Sequence, residues 1–186
     1  FVGVSASEGR VKSADLSQYR VIAFTTHGLV PGDLDGLTQP ALAFSSPQVV
    51  GDEQDGLLTL GEILGLRLDA DWVVLSACNT GTGEVAGAEA LSGLGRAFFY
   101  AGTRALLVSN WPVETTSAKL LTVDLFKRQV SNPGLGRADA LQQSMLSLLD
   151  SPGFLDSETN QPLFSYAHPI FWAPFTVVGE GASSRM

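Results

Sequence analysis

Three short apolar runs constrain this chain most. Val21-Ile22-Ala23-Phe24-Thr25-Thr26, Trp72-Val73-Val74-Leu75-Ser76 and Ala105-Leu106-Leu107-Val108-Ser109 are apolar at consecutive rather than alternate positions, and are bounded by turn residues. A strand with one wet face alternates. Continuous runs of this length suit strands buried on both faces, as in a parallel sheet. Stretches with helical spacing lie between and after them. Leu60 to Leu64 is short. Ala86 to Ala101 carries Ala90, Leu91, Leu94, Ala97 and Phe98, Thr115 to Gln129 carries Leu120, Leu121, Val123, Leu125 and Phe126, and Leu135 to Leu149 carries Ala138, Leu141, Met145, Leu148 and Leu149. Strands alternating with such helices predict an α/β domain with a mostly parallel sheet covered on both sides. One domain over residues 1–186 accommodates the length.

Two long segments lack a clear period. Gly28 to Gly56 is rich in Gly, Pro, Asp and Gln, with only Pro40-Ala41-Leu42-Ala43-Phe44 resembling a strand; Ser151 to Pro169 is the second. Loops this long in a compact domain are usually functional or mobile. The run Phe171 to Val178, with Pro174 inside it, predicts a last strand near the sheet edge.

The formal net charge is −8. That balance argues against a nucleic-acid partner, which needs clustered Lys and Arg. There is one cysteine, so no internal disulfide forms, and a reducing, cytoplasmic setting is expected. The opening residues do not read as a signal peptide. The longest stretch without Asp, Glu, Lys or Arg, Thr159 to Gly179, holds Pro162, Pro169 and Pro174 and is a poor membrane span. The chain begins at Phe1 and reads as a fragment of something longer, with part of its domain expected upstream.

Ligands of an open α/β sheet bind outside the carboxyl ends of the strands. The first apolar run leads into Thr26-His27-Gly28, the second into Ser76-Ala77-Cys78-Asn79-Thr80-Gly81, the third into Ser109-Asn110-Trp111. One of two histidines and the sole cysteine therefore fall at one rim, on strands that could be neighbours. A thiolate is a strong nucleophile, and a nearby imidazole can take its proton and later give it to a leaving amine. The backbone N–H groups of Cys78 and Gly28 are candidate oxyanion donors, and Gly28 has no side chain to hinder an approaching carbonyl. Against this stand plainer roles: a cysteine after a strand is often a small buried hydrophobe, and His-Gly a common turn. His27 precedes Cys78 by 51 positions, close to the roughly 50 between base and nucleophile in caspases. One cysteine and two distant histidines do not make a metal site, and no cofactor is expected.

The segments Asp55-Gly56-Leu57-Leu58-Thr59-Leu60-Gly61-Glu62-Ile63, Leu68-Asp69-Ala70-Asp71-Trp72 through Cys78-Asn79-Thr80-Gly81, Gly87-Ala88-Glu89-Ala90-Leu91 through Tyr100-Ala101-Gly102, Ser109-Asn110-Trp111-Pro112-Val113 and His168-Pro169-Ile170-Phe171-Trp172-Ala173-Pro174-Phe175 resemble the CHAT domain, from about Tyr19 to Gly179. CHAT domains are similar to caspases and separases. The resemblance implies a three-layer αβα caspase-like fold and a Cys–His endopeptidase acting on a protein or peptide, often carried behind tetratricopeptide repeats in bacterial proteins. On that match His27 stands at the base position and Cys78 at the nucleophile position.

The caspase signature has Gly two residues after the cysteine, whereas here Asn79 and Thr80 precede Gly81. The position before Trp111 is often Leu or His in the family and here is Asn110. Glu114 resembles part of the acidic stretch that follows the Trp in separases. It is a candidate, with Asn110 and Trp111, for a pocket receiving a basic P1 side chain, and the acidic cluster Asp52, Glu53 and Asp55 motivates the same idea. A helix N-terminal carboxylate is the competing role for Glu114. Asp15, Asp33 and Asp35 are candidates to orient His27, with nothing to select among them. His168 is expected to fix the loop before the last strand, Ser76 and Asn79 to satisfy backbone groups, and Glu84 and Glu89 to sit as helix N-terminal charges. Two other readings remain. Gly81-Thr82-Gly83 with Gly87 follows a strand and opens a helix, as a nucleotide-phosphate loop would, but the spacing is wrong for G-x-G-x-x-G and no Walker lysine is there. A catalytically latent interaction module, needing a partner to order its loops, is the other.

Overall fold

The computed structural model describes residues 1–51, 53–75 and 85–182, with side chains in the long helix after the second apolar run described from Gly93 onward. In chain order the elements are α1 (Glu8–Ser13), β1 (Val21–Phe24), β2 (Gly28–Leu29), β3 (Ala41–Ala43), α2 (Pro47–Val50), β4 (Leu57–Thr59), α3 (Leu60–Ile63), β5 (Trp72–Leu75), α4 (Val85–Ala101), β6 (Ala105–Ser109), α5 (Thr115–Ser131), α6 (Arg137–Leu149), β7 (Phe154–Leu155), β8 (Pro162–Phe164) and β9 (Phe175–Gly179).

The three apolar runs form the predicted strands. The main sheet has the order β1-β5-β6-β9. β1, β5 and β6 are parallel, with Phe24 opposite Leu75 and Leu75 opposite Val108. β9 runs antiparallel to β6, with Ser109 opposite Phe175. β5 and β6 are covered on both faces, which is why they do not alternate in sequence; β1, at the sheet edge, departs from the expectation, burying Phe24 on one face and leaving Val21 and Ala23 exposed on the other. Phe24, Val73, Leu75 and Leu106 join one core with Ile63, Leu94, Ala97 and Phe98. Trp72, Val74, Ala105 and Leu107 join another with Leu121, Leu125, Ala140, Leu141 and Leu148. The result is three layers, helix–sheet–helix, with the mostly parallel sheet in the middle.

Three local devices hold the frame. Thr59 and Glu62 form a capping box at α3, each side chain bonding the other's backbone N–H. Gly102 adopts φ +111° where α4 turns toward β6, and a Cβ there would lie 2.2 Å from the Leu68 carbonyl oxygen. At the amino ends of β5 and β6, Arg137 is fully buried, 5.5 Å from the Trp72 ring centre and 3.7 Å from the carboxylates of both Asp71 and Glu180.

Three expectations change. Gly28 to Gly56 holds the strand expected within Pro40–Phe44, as β3, but also β2 and α2, and with β4 it makes a second, antiparallel sheet of order β2-β3-β4. Strands of two or three residues carry too few positions to show a period. The last strand starts at Phe175, after Pro174, not at Phe171. Pro169–Phe171 is a 3-10 turn instead, capped by His168, whose Nδ1 accepts a hydrogen bond from the Ile170 N–H. Ser151 to Pro169 likewise contains a short hairpin of β7 and β8 over the buried Tyr166.

Candidate active site

The carboxyl rim of the main sheet is built by three adjacent strands, β1, β5 and β6. β1 and β5 end in register at Phe24 and Leu75. His27 lies three positions beyond the first end, and Cys78 follows the second by the same number in the sequence. Cys78, Ser76, Asn79, Asp52, Glu84 and the Gly81-Thr82-Gly83 segment lie outside the described residues, as does the Glu89 side chain.

His27 is exposed and Gly28 buried. His27 lines a cleft of about 550 Å³ together with all of β1 and with Phe1, Gly3, Val11, Leu16 and Phe44. Two sheets meet at this histidine. Its carbonyl accepts from the Ala43 N–H at 2.8 Å, and the Thr26 hydroxyl donates to the Ala43 carbonyl. Gly28 then pairs with Leu42 in β3. Hydrogen-bonded and non-bonded pairs alternate along an antiparallel ladder, so the bond at Ala43–His27 turns the Gly28 N–H away from β3.

Beyond β6, Asn110 is pinned from two sides. Its N–H donates to the Pro174 carbonyl at 2.9 Å, and its side-chain amide donates to Pro174 and to Thr176 Oγ1 at 3.0 Å. The Trp111 indole N–H donates to the Ile170 carbonyl at 3.4 Å. Glu114 caps α5: its two oxygens accept from the N–H groups of Thr116 (2.8 Å) and Ser117 (2.7 Å). Burial pushes its carboxyl up, but those backbone bonds prevail and hold it below the usual carboxylate range. The buried Tyr166 phenol is pushed up by burial and by the charge of Glu114.

The model of the CHAT domain matches residues 1–180. The chain belongs to the CHAT domain family. That family lies within the caspase-like peptidase superfamily, in accord with the three-layer fold. Tetratricopeptide repeat protein 28 of Mus musculus is 30% identical over 205 residues, and that of Homo sapiens 30% identical over 206, each alignment covering 96% of this CHAT chain. The chain spans 8% of the length of these relatives.

Within this CHAT domain the structure brings together the strand ends that lead into His27, Cys78 and Asn110-Trp111. The aspartates considered for orienting His27 are engaged or exposed elsewhere. Asp15 accepts from Ser17 and Gln18, Asp33 accepts from the Val30 N–H, and Asp35 is exposed. Asp55 accepts from the Leu57 N–H. Sequence reasoning missed a buried carboxylate, Glu8, only 1% exposed, whose contacts reach the sheet that holds His27. The Ser7-Glu8 pair is a readable helix start, with Ser7 accepting from the Arg10 N–H, but nothing local reveals the distant partners of Glu8. Among the described residues no helix is long and apolar enough to cross a membrane.

Proposed function

We propose that this chain is the catalytic domain of a cysteine endopeptidase, with Cys78 as nucleophile and His27 as general base. The observation that carries the reading is the register of β1 and β5: adjacent parallel strands lie about 4.8 Å apart, and base and nucleophile follow their paired ends by equal numbers of residues. His27 accepts the thiol proton and the thiolate attacks the scissile carbonyl. The oxyanion is met by the Gly28 and Cys78 N–H groups; the turn of the Gly28 N–H away from β3 leaves it out of that ladder and supports this role. The imidazolium then protonates the leaving amine, giving an acyl-enzyme that water, deprotonated by His27, hydrolyses. Asn110 and Trp111 hold the next strand end along the rim and are candidates for the substrate pocket, together with Glu114.

The relatives' printed name supports a setting beside tetratricopeptide repeats, with regulation by such repeats or by a partner. β1 is an edge strand with Val21 and Ala23 exposed, which supports a further strand completing this side of the domain. A peptide-library cleavage assay tests the reading, with Cys78→Ala and His27→Ala as controls. Turnover should vanish in both variants with the fold retained. Cleavage that survives Cys78→Ala overturns it.

A further inference from the structure

One buried charge has no part in the dyad. Glu8 of α1 is 1% exposed. One of its oxygens accepts from the N–H groups of Gly56 (2.9 Å) and Leu57 (3.2 Å) at the start of β4. The other accepts from Lys12 Nζ at 3.0 Å, and the same Lys12 reaches Glu62 of the α3 capping box at 2.7 Å. The segment leading into α1 is stitched to the next strand as well: the Ser45 N–H donates to the Ala6 carbonyl (3.1 Å) and the Ser45 hydroxyl to the Gly3 carbonyl (2.8 Å). Between these anchors the Phe44 N–H bonds the Gly56 carbonyl at 2.7 Å. Ala43, which holds the His27 carbonyl, comes directly before Phe44. Strands of two or three residues lie at the short end of the usual range; Leu42 and Leu58 seat them in the core, and the anchors from α1 and its leading segment add to their own ladder bonds.

We propose that Glu8 is a positioning residue for His27 and Gly28, acting through the small sheet β4–β3–β2. This rests on the peptidase reading for its consequence in catalysis, but the positioning itself is a claim about the chain alone. A carboxylate accepting two backbone N–H groups and an ammonium in a buried site fixes geometry more firmly than a neutral bond. Burial works against its charge and raises its pKa, so the site is held by its partners and weakens when one is removed.

The test is Glu8→Gln, which keeps shape and removes the charge. The first readout is amide hydrogen exchange. At Ala43 it should accelerate about tenfold or more, the shift expected from losing one charge-assisted bond, with Leu106 and Leu107 of the main sheet unchanged. The second is the NMR signal of the His27 imidazole, which should move. The third is kinetic, a fall in kcat of about tenfold with KM little altered. Unchanged exchange at Ala43 together with an unmoved His27 signal overturns the proposal, and so does uniform acceleration in both sheets. Should Glu8→Gln fail to fold, Lys12→Gln removes only the ammonium and must give the same local pattern in weaker form. If the native protein cleaves nothing, the exchange and NMR arms still decide the positioning, and the peptidase reading fails separately.

Discussion

Glu114 offers a sharp choice between a structural and a recognition role. Both oxygens already accept backbone N–H groups at the first turn of α5, at 2.8 and 2.7 Å. Replacement by alanine orphans both donors in a half-buried site and removes a negative charge from the positive end of the helix dipole. Loss of a side-chain N-cap costs about 1 kcal/mol, and two short bonds place this one toward the upper end, roughly 1–2 kcal/mol. For a chain of this length that lowers Tm by roughly 2–8 °C. Glu114→Asp, itself a good cap, should recover most of the loss. Glu114→Gln keeps one oxygen acceptor and should fall between. Calorimetry on the four proteins gives the order; profiling with peptides carrying Arg, Lys or Asp at P1 gives the specificity. A cap predicts graded stability with an unchanged profile. An unaltered Tm in Glu114→Ala, with preference for basic P1 residues abolished, would refute the reasoning and make Glu114 a pocket wall.

Other outcomes follow from single observations. Gly102→Ala forces a Cβ into the Leu68 carbonyl at φ +111° and should cost about 3 kcal/mol, whereas Gly51→Ala, at φ +67° with open space around it, should cost only about 1 kcal/mol; denaturant midpoints compare them. Burial pushes the Glu62 carboxyl up, but hydrogen bonds from Lys12 and Thr59 outweigh it and bring it down to about 2 from an ordinary 4.5. A folded pKa below the unfolded one adds stability above the unfolded value and loses it as pH falls toward the folded one. The stability gap between the native protein and Glu62→Gln should therefore be full at neutral pH and close between about pH 4.5 and 2; a gap independent of pH contradicts the bonding described. Iodoacetamide should alkylate Cys78 faster than a model thiol, and His27→Ala should slow it.

The main sheet was legible because its physics is written along the chain. Residues such as Val73 and Val74 point to opposite cores, so both must be apolar, and a continuous run results. The helices declared themselves by spacing, and α5 and α6 begin and end within two residues of the expected bounds. Of the small sheet only the middle strand was legible, in Pro40–Phe44; Gly28–Leu29 is too short for a period, and its place depends on bonds from Ala43 and, further off, Glu8. The Thr59-x-x-Glu62 spacing was a readable capping box that went unused. The start of β9 was misjudged because an apolar run was taken at face value, while Pro169 opens a turn and Pro174 offers no N–H to a ladder. At the rim, the strands leading into His27 and Cys78 could be neighbours from the sequence, and β1 and β5 are. The helix N-terminal role weighed for Glu114 is the one it takes, with both oxygens on the N–H groups of Thr116 and Ser117.

The placement of His27 has a consequence for how such a domain could be controlled. The histidine sits between two frameworks of unequal strength. β1 belongs to the four-stranded sheet, whose inner strands pack on two cores and whose opening requires loss of much of the buried apolar surface, whereas the small sheet gives Leu42 and Leu58 to the first of those cores. Gly28 belongs to a sheet of short strands, tied through Ser45, Gly56 and Leu57 to the segment Gly3–Lys12. Local opening of the second costs less than global unfolding, so its population can shift without loss of the fold. A force or partner acting on α1 reaches the His27 carbonyl through Glu8, through Lys12 and Glu62, and through a short run of backbone hydrogen bonds. On the peptidase reading proposed above, a latent form and an active one would differ in the order of these short strands.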